Sequence, residues 1–162
     1  MMPIIGQVNK RSVVYASVKQ APNWADTLPA ANWLLFVIAD QYDHDLFEQL
    51  TTSCLNRQPL AICCAGQSAS RLEDWFDIEI VVRDVEWEEL YQRPYYENLL
   101  ATTADVDIDN GFWFATLCGP DMCKEPVDTI VCLDAEGIYQ NRVVELIGLI
   151  NSGWLPPDSA DD

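Results

Sequence analysis

Three short runs rich in apolar residues constrain the fold of this chain more than any other feature of its sequence. Trp33–Ala39, Leu60–Ala65 and Asp128–Leu133 each have the length of one strand and lack the polar alternation of a strand with one face in water. Strands of this kind are buried on both faces, which is typical of parallel sheets covered by helices on each side. The runs therefore predict an α/β fold.

The segments between these runs supply further strands and helices. Further strands are predicted at Ser12–Val18, Ile78–Val82 and Asn98–Thr103. Helices are predicted over 43–55 (capped by Asp43 or Asp45), 70–76, 85–92, 107–118 (capped by Asp105 or Asp107) and 138–150. We expect one compact, doubly wound α/β domain over residues 1–155, flavodoxin- or Rossmann-like, with a mostly parallel sheet of five or six strands and helices on both faces. Residues 156–162 are expected to form a frayed acidic tail.

The charge of the chain restricts what it can bind. The formal net charge is −17 on 162 residues, and three basic side chains within residues 1–20 leave −20 on the remainder. Binding to phosphate backbones or anionic lipids depends on clustered Lys and Arg, so we exclude nucleic acid and membrane surfaces as partners. Six Trp and the dense aliphatic runs also argue against a disordered acidic chain. The charge favours a basic protein or a cation.

The cysteines and the absence of targeting signals indicate a cytoplasmic protein without a cofactor. No apolar run approaches the ~20 residues that cross a bilayer, and no secretory signal is recognisable. Among the six cysteines, Cys63 and Cys64 lie inside an apolar run, which favours buried free thiols over disulfides. A zinc site needs four converging ligands, usually from pairs of cysteines with two to four residues between them, whereas only Cys118 and Cys123 have this spacing and the single histidine, His44, is remote.

The candidate ligand residues are carboxylates that follow two of the predicted strands. Asp40 follows Trp33–Ala39, and Asp105 and Asp107 follow the strand predicted at 98–103. Because ligands of open α/β sheets bind beyond the carboxyl ends of the strands, one interpretation is a cation or small-molecule site at these three residues. The other interpretation is that Asp105 or Asp107 caps the next helix. The stretch DVDIDNG at 105–111 also departs from a calcium loop, which needs glycine at position 6 and glutamate at position 12.

An acidic, aromatic segment is the candidate interface. Residues 84–97 (DVEWEELYQRPYYE) combine five carboxylates with one Trp and three Tyr. Trp and Tyr anchor protein interfaces, and charges at the rim select the sign of the partner. A basic partner is therefore expected to contact Glu86, Trp87, Glu88, Glu89 and Tyr91. The alternative is an ordinary solvated helix whose aromatic side chains pack inward.

The sequence contains no catalytic motif. It has no dinucleotide or phosphate-binding glycine loop and no Gly-x-Ser-x-Gly nucleophile turn. We therefore favour a non-enzymatic acidic interaction protein that binds a basic protein, as an immunity protein or inhibitor does. The alternative is a degenerate α/β domain that retains a carboxylate-lined cation or small-molecule site at the carboxyl ends of its strands.

Three segments carry a resemblance to other proteins. The stretches CCAGQSASRLEDWFD, LLATTADVDIDNGFWFATLCGP and DTIVCL occur in this order along the chain. In this order they resemble an uncharacterised family of small acidic bacterial α/β proteins with no assigned activity. The resemblance covers residues 33–135 and implies the same fold and a bacterial cytosolic origin. It implies no site residue.

Overall fold

A computed structural model describes residues 2–91 and 100–157 of the chain. The strands are β1 (Ile4–Val8), β2 (Arg11–Ser17), β3 (Trp33–Ile38), β4 (Ala61–Ala65), β5 (Ala101–Asp105) and β6 (Thr129–Asp134). The helices are α1 (His44–Asn56), α2 (Ala69–Tyr91), α3 (Ile108–Trp113) and α4 (Gln140–Asn151). A π-helical turn at Phe114–Cys118 follows α3, and short 3-10 turns occupy Trp24–Thr27 and Gly119–Met122. Strands and helices therefore alternate through most of the described chain.

The six described strands form one mostly parallel sheet. Their order is β1-β2-β6-β3-β4-β5, and only β1 and β2 pair antiparallel. The mostly parallel sheet is as predicted, but β1 was missed. It joins β2 through a two-residue turn in which Asn9 and Lys10 have φ angles of 50° and 66°. Positive φ at both positions is typical of the tight turns that match the twist of a hairpin, and asparagine tolerates this conformation well.

Both faces of the sheet are covered. All residues of Trp33–Ala39 are 0 % exposed, and their side chains alternate between two hydrophobic clusters. One cluster contains Leu35 and Val37 together with side chains from α1 and α2. The other contains Leu34 and Phe36 together with side chains from α3 and α4. The uninterrupted apolar pattern of this strand therefore reflects helices packed on each face.

One long helix replaces three of the predicted elements. The strand predicted at Ile78–Val82 is wrong, and the two short helices predicted on either side of it are parts of a single helix, Ala69–Tyr91. Leu72, Phe76 and Ile80 are its buried apolar residues beyond the first turn, and their four-residue spacing is helical. The rest of the short apolar run is exposed. An apolar run of this length does not distinguish a strand from a helix, so its periodicity was misleading.

Smaller differences between the predicted and the observed structure concern the residues at which helices and strands begin and end. The helix predicted from residue 43 begins at His44, and Asp43 is its cap, with the carboxylate accepting a 3.0 Å hydrogen bond from the amide of Leu46. β5 begins three residues later than the predicted strand, of which residues 98 and 99 lie outside the described part. Residues 158–162 of the predicted tail also lie outside it. No helix in the described ranges is long and apolar enough to cross a membrane.

Candidate functional site

Asp134 is the most buried acidic side chain at the carboxyl edge of the sheet. It ends β6, is 0 % exposed, and its two oxygens accept three hydrogen bonds. The donors are the hydroxyl of Tyr15 (2.7 Å), the amide of Gly137 (2.9 Å) and the amide of Tyr139 (2.7 Å). Burial and the bond to Asp134 both raise the pKa of the Tyr15 hydroxyl, which therefore stays a donor. This carboxylate joins β2, β6 and the start of α4.

Asp40 lies beside Asp134 and shares a partner with it. Its carboxylate accepts a 3.0 Å hydrogen bond from the amide of Gln67 and a short one from the hydroxyl of Tyr139. The bond to Asp40, followed by burial, raises the pKa of Tyr139 to about 12. Because the Tyr139 amide also donates to Asp134, this tyrosine connects the two carboxylates. Both acids thus have their acceptor atoms engaged within the protein.

Glu136 closes the same edge from the loop after β6. One of its oxygens accepts hydrogen bonds from the amides of Asp40 and Gln41, each at 2.9 Å. Its other oxygen is buried and has no hydrogen-bond partner among the described groups. The three acids and two tyrosines of this edge cross-link the loops after β3, β4 and β6. Their hydrogen bonds support a structural role for the cluster formed by Tyr15, Asp40, Asp134, Glu136 and Tyr139.

Asp105 and Asp107, the other predicted ligands, organise the start of α3. Asp105 accepts hydrogen bonds from the amide of Asp107 (2.9 Å) and from the side chain of Asn110. Asp107 accepts from the amides of Asp109 (2.9 Å) and Asn110 (3.2 Å), so it is the cap of this helix. Asp109 in turn pairs with Arg142 of α4. Of the two caps predicted for this helix, Asp107 is confirmed.

The structure does not assemble Asp40, Asp105 and Asp107 into one ligand set. Among the described residues, the only three His, Cys, Asp or Glu side chains whose ligand atoms lie within 4.8 Å of one another are at the start of α1. These are His44, Asp45 and Glu48, all exposed. His44 is therefore the exposed first-turn residue that its position in the sequence suggests.

Replacing Asp107 with Ala tests capping against metal binding. We expect the free energy of unfolding to fall by about 1 kcal/mol, because two amides at the start of α3 lose their acceptor. Millimolar Ca²⁺ or Mg²⁺ should shift the melting temperature of the wild type and of the variant equally. Asp121→Ala, at an exposed position in the 3-10 turn before β6, serves as the charge-matched control. Saturable heat of Ca²⁺ binding in the wild type that disappears in Asp107→Ala would contradict capping as the sole role.

The predicted partner-binding residues all lie in the last turns of α2, but they divide between two sides of it. Glu86, Glu88 and Glu89 are exposed, whereas Trp87 is partly buried. Trp87 follows the buried Ile80 by seven residues, so it lies on the side of the helix that faces the protein. It lines a groove with Glu79, Arg83, Glu86 and Leu90. The side chain of Tyr91, and Tyr95 and Tyr96 entirely, lie outside the described part.

Two features were not identified from the sequence: Asp134 at the end of β6 and the exposed apolar face of α2. Asp134 directly follows a buried strand, as Asp40 does, so the rule that selected Asp40 also applies to it. Ile78, Val81 and Val82 were assigned to a strand, which concealed their exposure on one face of α2. Their spacing of three and four residues was the available signal.

All six cysteines are free thiols in the structure. Cys54, Cys63, Cys64 and Cys132 are buried, and burial raises the pKa of each of these thiols, for Cys63 to about 11. A thiol with a raised pKa is a poor nucleophile and a poor metal ligand at neutral pH. The buried thiols therefore behave as small hydrophobic side chains.

The chain matches a family model over most of its length. A family model described as "Domain of unknown function (DUF7684)" matches residues 11–145. The match spans every described strand except β1 and agrees with the resemblance to an uncharacterised family. No curated protein and no solved structure matches the chain.

Proposed function

We propose that this chain, which belongs to the DUF7684 family of unknown function, is a non-enzymatic acidic protein that binds a basic protein partner. Inhibition or neutralisation of that partner, as an immunity protein does, is the activity that such binding would serve. We further propose a cytoplasmic location and a doubly wound classification of the fold.

One observation above all supports binding by the outer surface. The exposed face of α2 presents acidic and apolar side chains together, in a protein whose formal net charge is −17. Charge of this size attracts a cationic protein over long distances and accelerates association by roughly 10- to 1000-fold at low salt. Apolar side chains next to the charges would then slow dissociation.

The alternative, a cation or small-molecule site at Asp40, Asp105 and Asp107, has weaker support. Asp40 and Asp105 accept hydrogen bonds from amides of the strand-end loops, and Asp107 accepts them from amides in the first turn of α3. A ligand would have to displace those donors or bind to the acceptor capacity that remains. The exposed face of α2 requires no such rearrangement.

Binding kinetics test the proposal. The genes next to the one for this chain are first searched for a basic protein, and its binding is then measured at about 20 mM and about 200 mM salt. We expect the association rate to fall at least about tenfold between the two salt concentrations. Replacing Glu88 and Glu89 with Gln should lower the association rate at low salt only, because charge steering is screened at high salt.

Glu125→Gln, at an exposed acid in the loop before β6, is the matched control and should leave the rate nearly unchanged. An association rate insensitive to salt would remove the electrostatic basis of the proposal. The predicted contacts at Trp87 and Tyr91 are tested separately by the dissociation rate of Trp87→Ala and Tyr91→Ala.

A further inference from the structure

The outward face of α2 carries an apolar stripe where a helix in water normally carries polar residues. Ile78 is 66 % exposed, Val81 60 %, Val82 42 % and Val85 49 %. Their spacing of i, i+3, i+4 and i+7 places them on one face of the helix. We call these four residues the α2 stripe. No described part of the protein covers it.

The α2 stripe lies opposite the side by which the helix is attached. Leu72, Phe76 and Ile80 hold α2 against the sheet, and beyond Ile80 no described side chain of the helix is buried. The turns after it therefore have only partial support from the protein. Beside Ile78, a groove of about 260 Å³ opens between α1 and α2, with Trp75 in its wall. A second helix laid along the stripe would contact this groove as well.

Exposed acids border the stripe at both ends of the same face. Asp74 precedes Ile78 by four residues, and Glu89 follows Val85 by four, so both share the face of the stripe. This face of α2 therefore has an apolar centre with an acidic side chain at each end.

The two arginines of α2 are both engaged within the protein. The guanidinium of Arg71 lies 3.5 Å from the centre of the Tyr42 ring. Arg83 pairs with Glu79, one turn before it, at 3.0 Å. Neither arginine forms an ion pair with Asp74 or Glu89 in the described part of the chain, and the eight acids of α2 outnumber its two arginines, so this face is acidic.

These acids exclude a second copy of the chain as the favoured occupant. In an antiparallel pair of α2 helices centred on the stripe, Asp74 of each copy would lie opposite Glu89 of the other. In a parallel pair, each acid would lie opposite its own equivalent. Like charges in such positions are destabilising, and each copy adds its net charge of −17. Complementarity of charge requires a cationic partner.

We propose that the α2 stripe is the docking site for an amphipathic helix of the basic partner. That helix presents apolar residues at i, i+3, i+4 and i+7 to the stripe, and Lys or Arg to Asp74 and Glu89. Binding of this type is helix-to-helix packing with charged flanks. The inference rests on the proposed function and identifies the surface that binds the basic partner.

A synthetic helix tests the surface without the natural partner. The probe is a labelled peptide of about fourteen residues with Leu at i, i+3, i+4 and i+7 and Lys at the other positions. We expect this peptide to bind saturably to the wild type when binding is measured by fluorescence anisotropy. Val82→Ser combined with Val85→Ser should weaken binding at least about tenfold, because apolar groups at the centre of the contact are lost.

Val144→Ser is the matched control, because Val144 is 45 % exposed on a different helix, α4. It should leave the affinity unchanged. A peptide of the same composition without the periodicity, and one with Glu in place of Lys, should both bind at least about tenfold more weakly. Since the replaced valines are exposed, circular dichroism of the variants should match the wild type.

Other outcomes overturn the inference in distinguishable ways. If the peptide bound the wild type and the double variant with equal affinity, the docking site would lie elsewhere on the protein. The proposal that the protein binds a basic partner would be unaffected. Equal binding of the aperiodic peptide would reduce the interaction to unspecific charge attraction. A dimer of the chain in sedimentation that the double variant abolishes would identify a second copy as the occupant. Absence of peptide binding would refute docking of a cationic helix, whereas kinetics with the natural partner decide the proposed function separately.

Discussion

Replacing Asp134 with Ala should lower the free energy of unfolding by at least about 3 kcal/mol. The carboxylate is 0 % exposed and accepts hydrogen bonds from Tyr15, Gly137 and Tyr139. Alanine would leave the Tyr15 hydroxyl and two amides without their acceptor at the end of β6. Each unsatisfied buried donor is unfavourable by about 1–3 kcal/mol. Urea denaturation followed by tryptophan fluorescence measures the change.

Two further variants separate the parts of this effect. Tyr15→Phe removes one donor and keeps the carboxylate with its two amide bonds, so the expected loss is about 1 kcal/mol. Asp134→Asn keeps one carbonyl acceptor but turns an NH₂ group toward existing donors, so its loss should be intermediate. If Asp134→Ala destabilised the protein by less than Tyr15→Phe, the carboxylate would not be the centre of this cluster.

The cluster around Asp134 explains why acids gather at the edge where α/β proteins bind ligands. Loops after parallel strands contain amides that no ladder satisfies, and a carboxylate accepts several of them at once. Asp40, Asp134 and Glu136 each accept at least two hydrogen bonds in these loops. Acids at strand ends are therefore insufficient evidence for a metal or a reaction, even in this topology.

The strands that lie inside the sheet were predictable because burial on both faces produces a continuous apolar run. β3, β4 and β6 follow their predicted bounds within one residue. β1 was not predictable in this way, because it lies at the edge of the sheet and contains Gly6 and Gln7. The same rule misassigned the middle of α2, Ile78–Val82, because its apolar residues other than Ile80 are exposed. Apolar patterning identifies elements only where apolar residues are buried.

The candidate site, too, was predictable from the sequence only where it depends on local spacing. The cap at Asp107 follows from local spacing, because a cap bonds amides two and three residues ahead of it. The link between Asp40 and Asp134 through Tyr139 joins residues about a hundred positions apart, and no local pattern encodes it. The separation of Trp87 from Glu88 and Glu89 depends on which face of α2 contacts the sheet. That face became defined only when the whole helix was known.

Replacing Gly66 with Ala should be the second most damaging change considered, with a loss of about 2–4 kcal/mol. Gly66 has a φ of 102°, a conformation that side chains with a Cβ rarely adopt. A Cβ there would lie 2.6 Å from the carbonyl oxygen of Ala39 and 2.9 Å from a carboxylate oxygen of Asp40. The first contact is with backbone at the end of the central strand β3, which cannot move aside without disturbing the sheet.

The expected loss therefore combines backbone strain with displacement of the loop that supplies the Gln67 amide to Asp40. Gly148→Ala is the control, because that glycine lies in α4 and a Cβ added to it would meet no atom within 4 Å. Alanine at Gly148 should stabilise the protein by about 0.5–1 kcal/mol, the difference in helix propensity between the two residues. Both changes add the same methyl group, so opposite signs in urea denaturation would isolate the conformation of residue 66 as the cause. A loss below about 1 kcal/mol for Gly66→Ala would mean that the loop after β4 relaxes, and that the bond from Gln67 to Asp40 is not held in place by this turn.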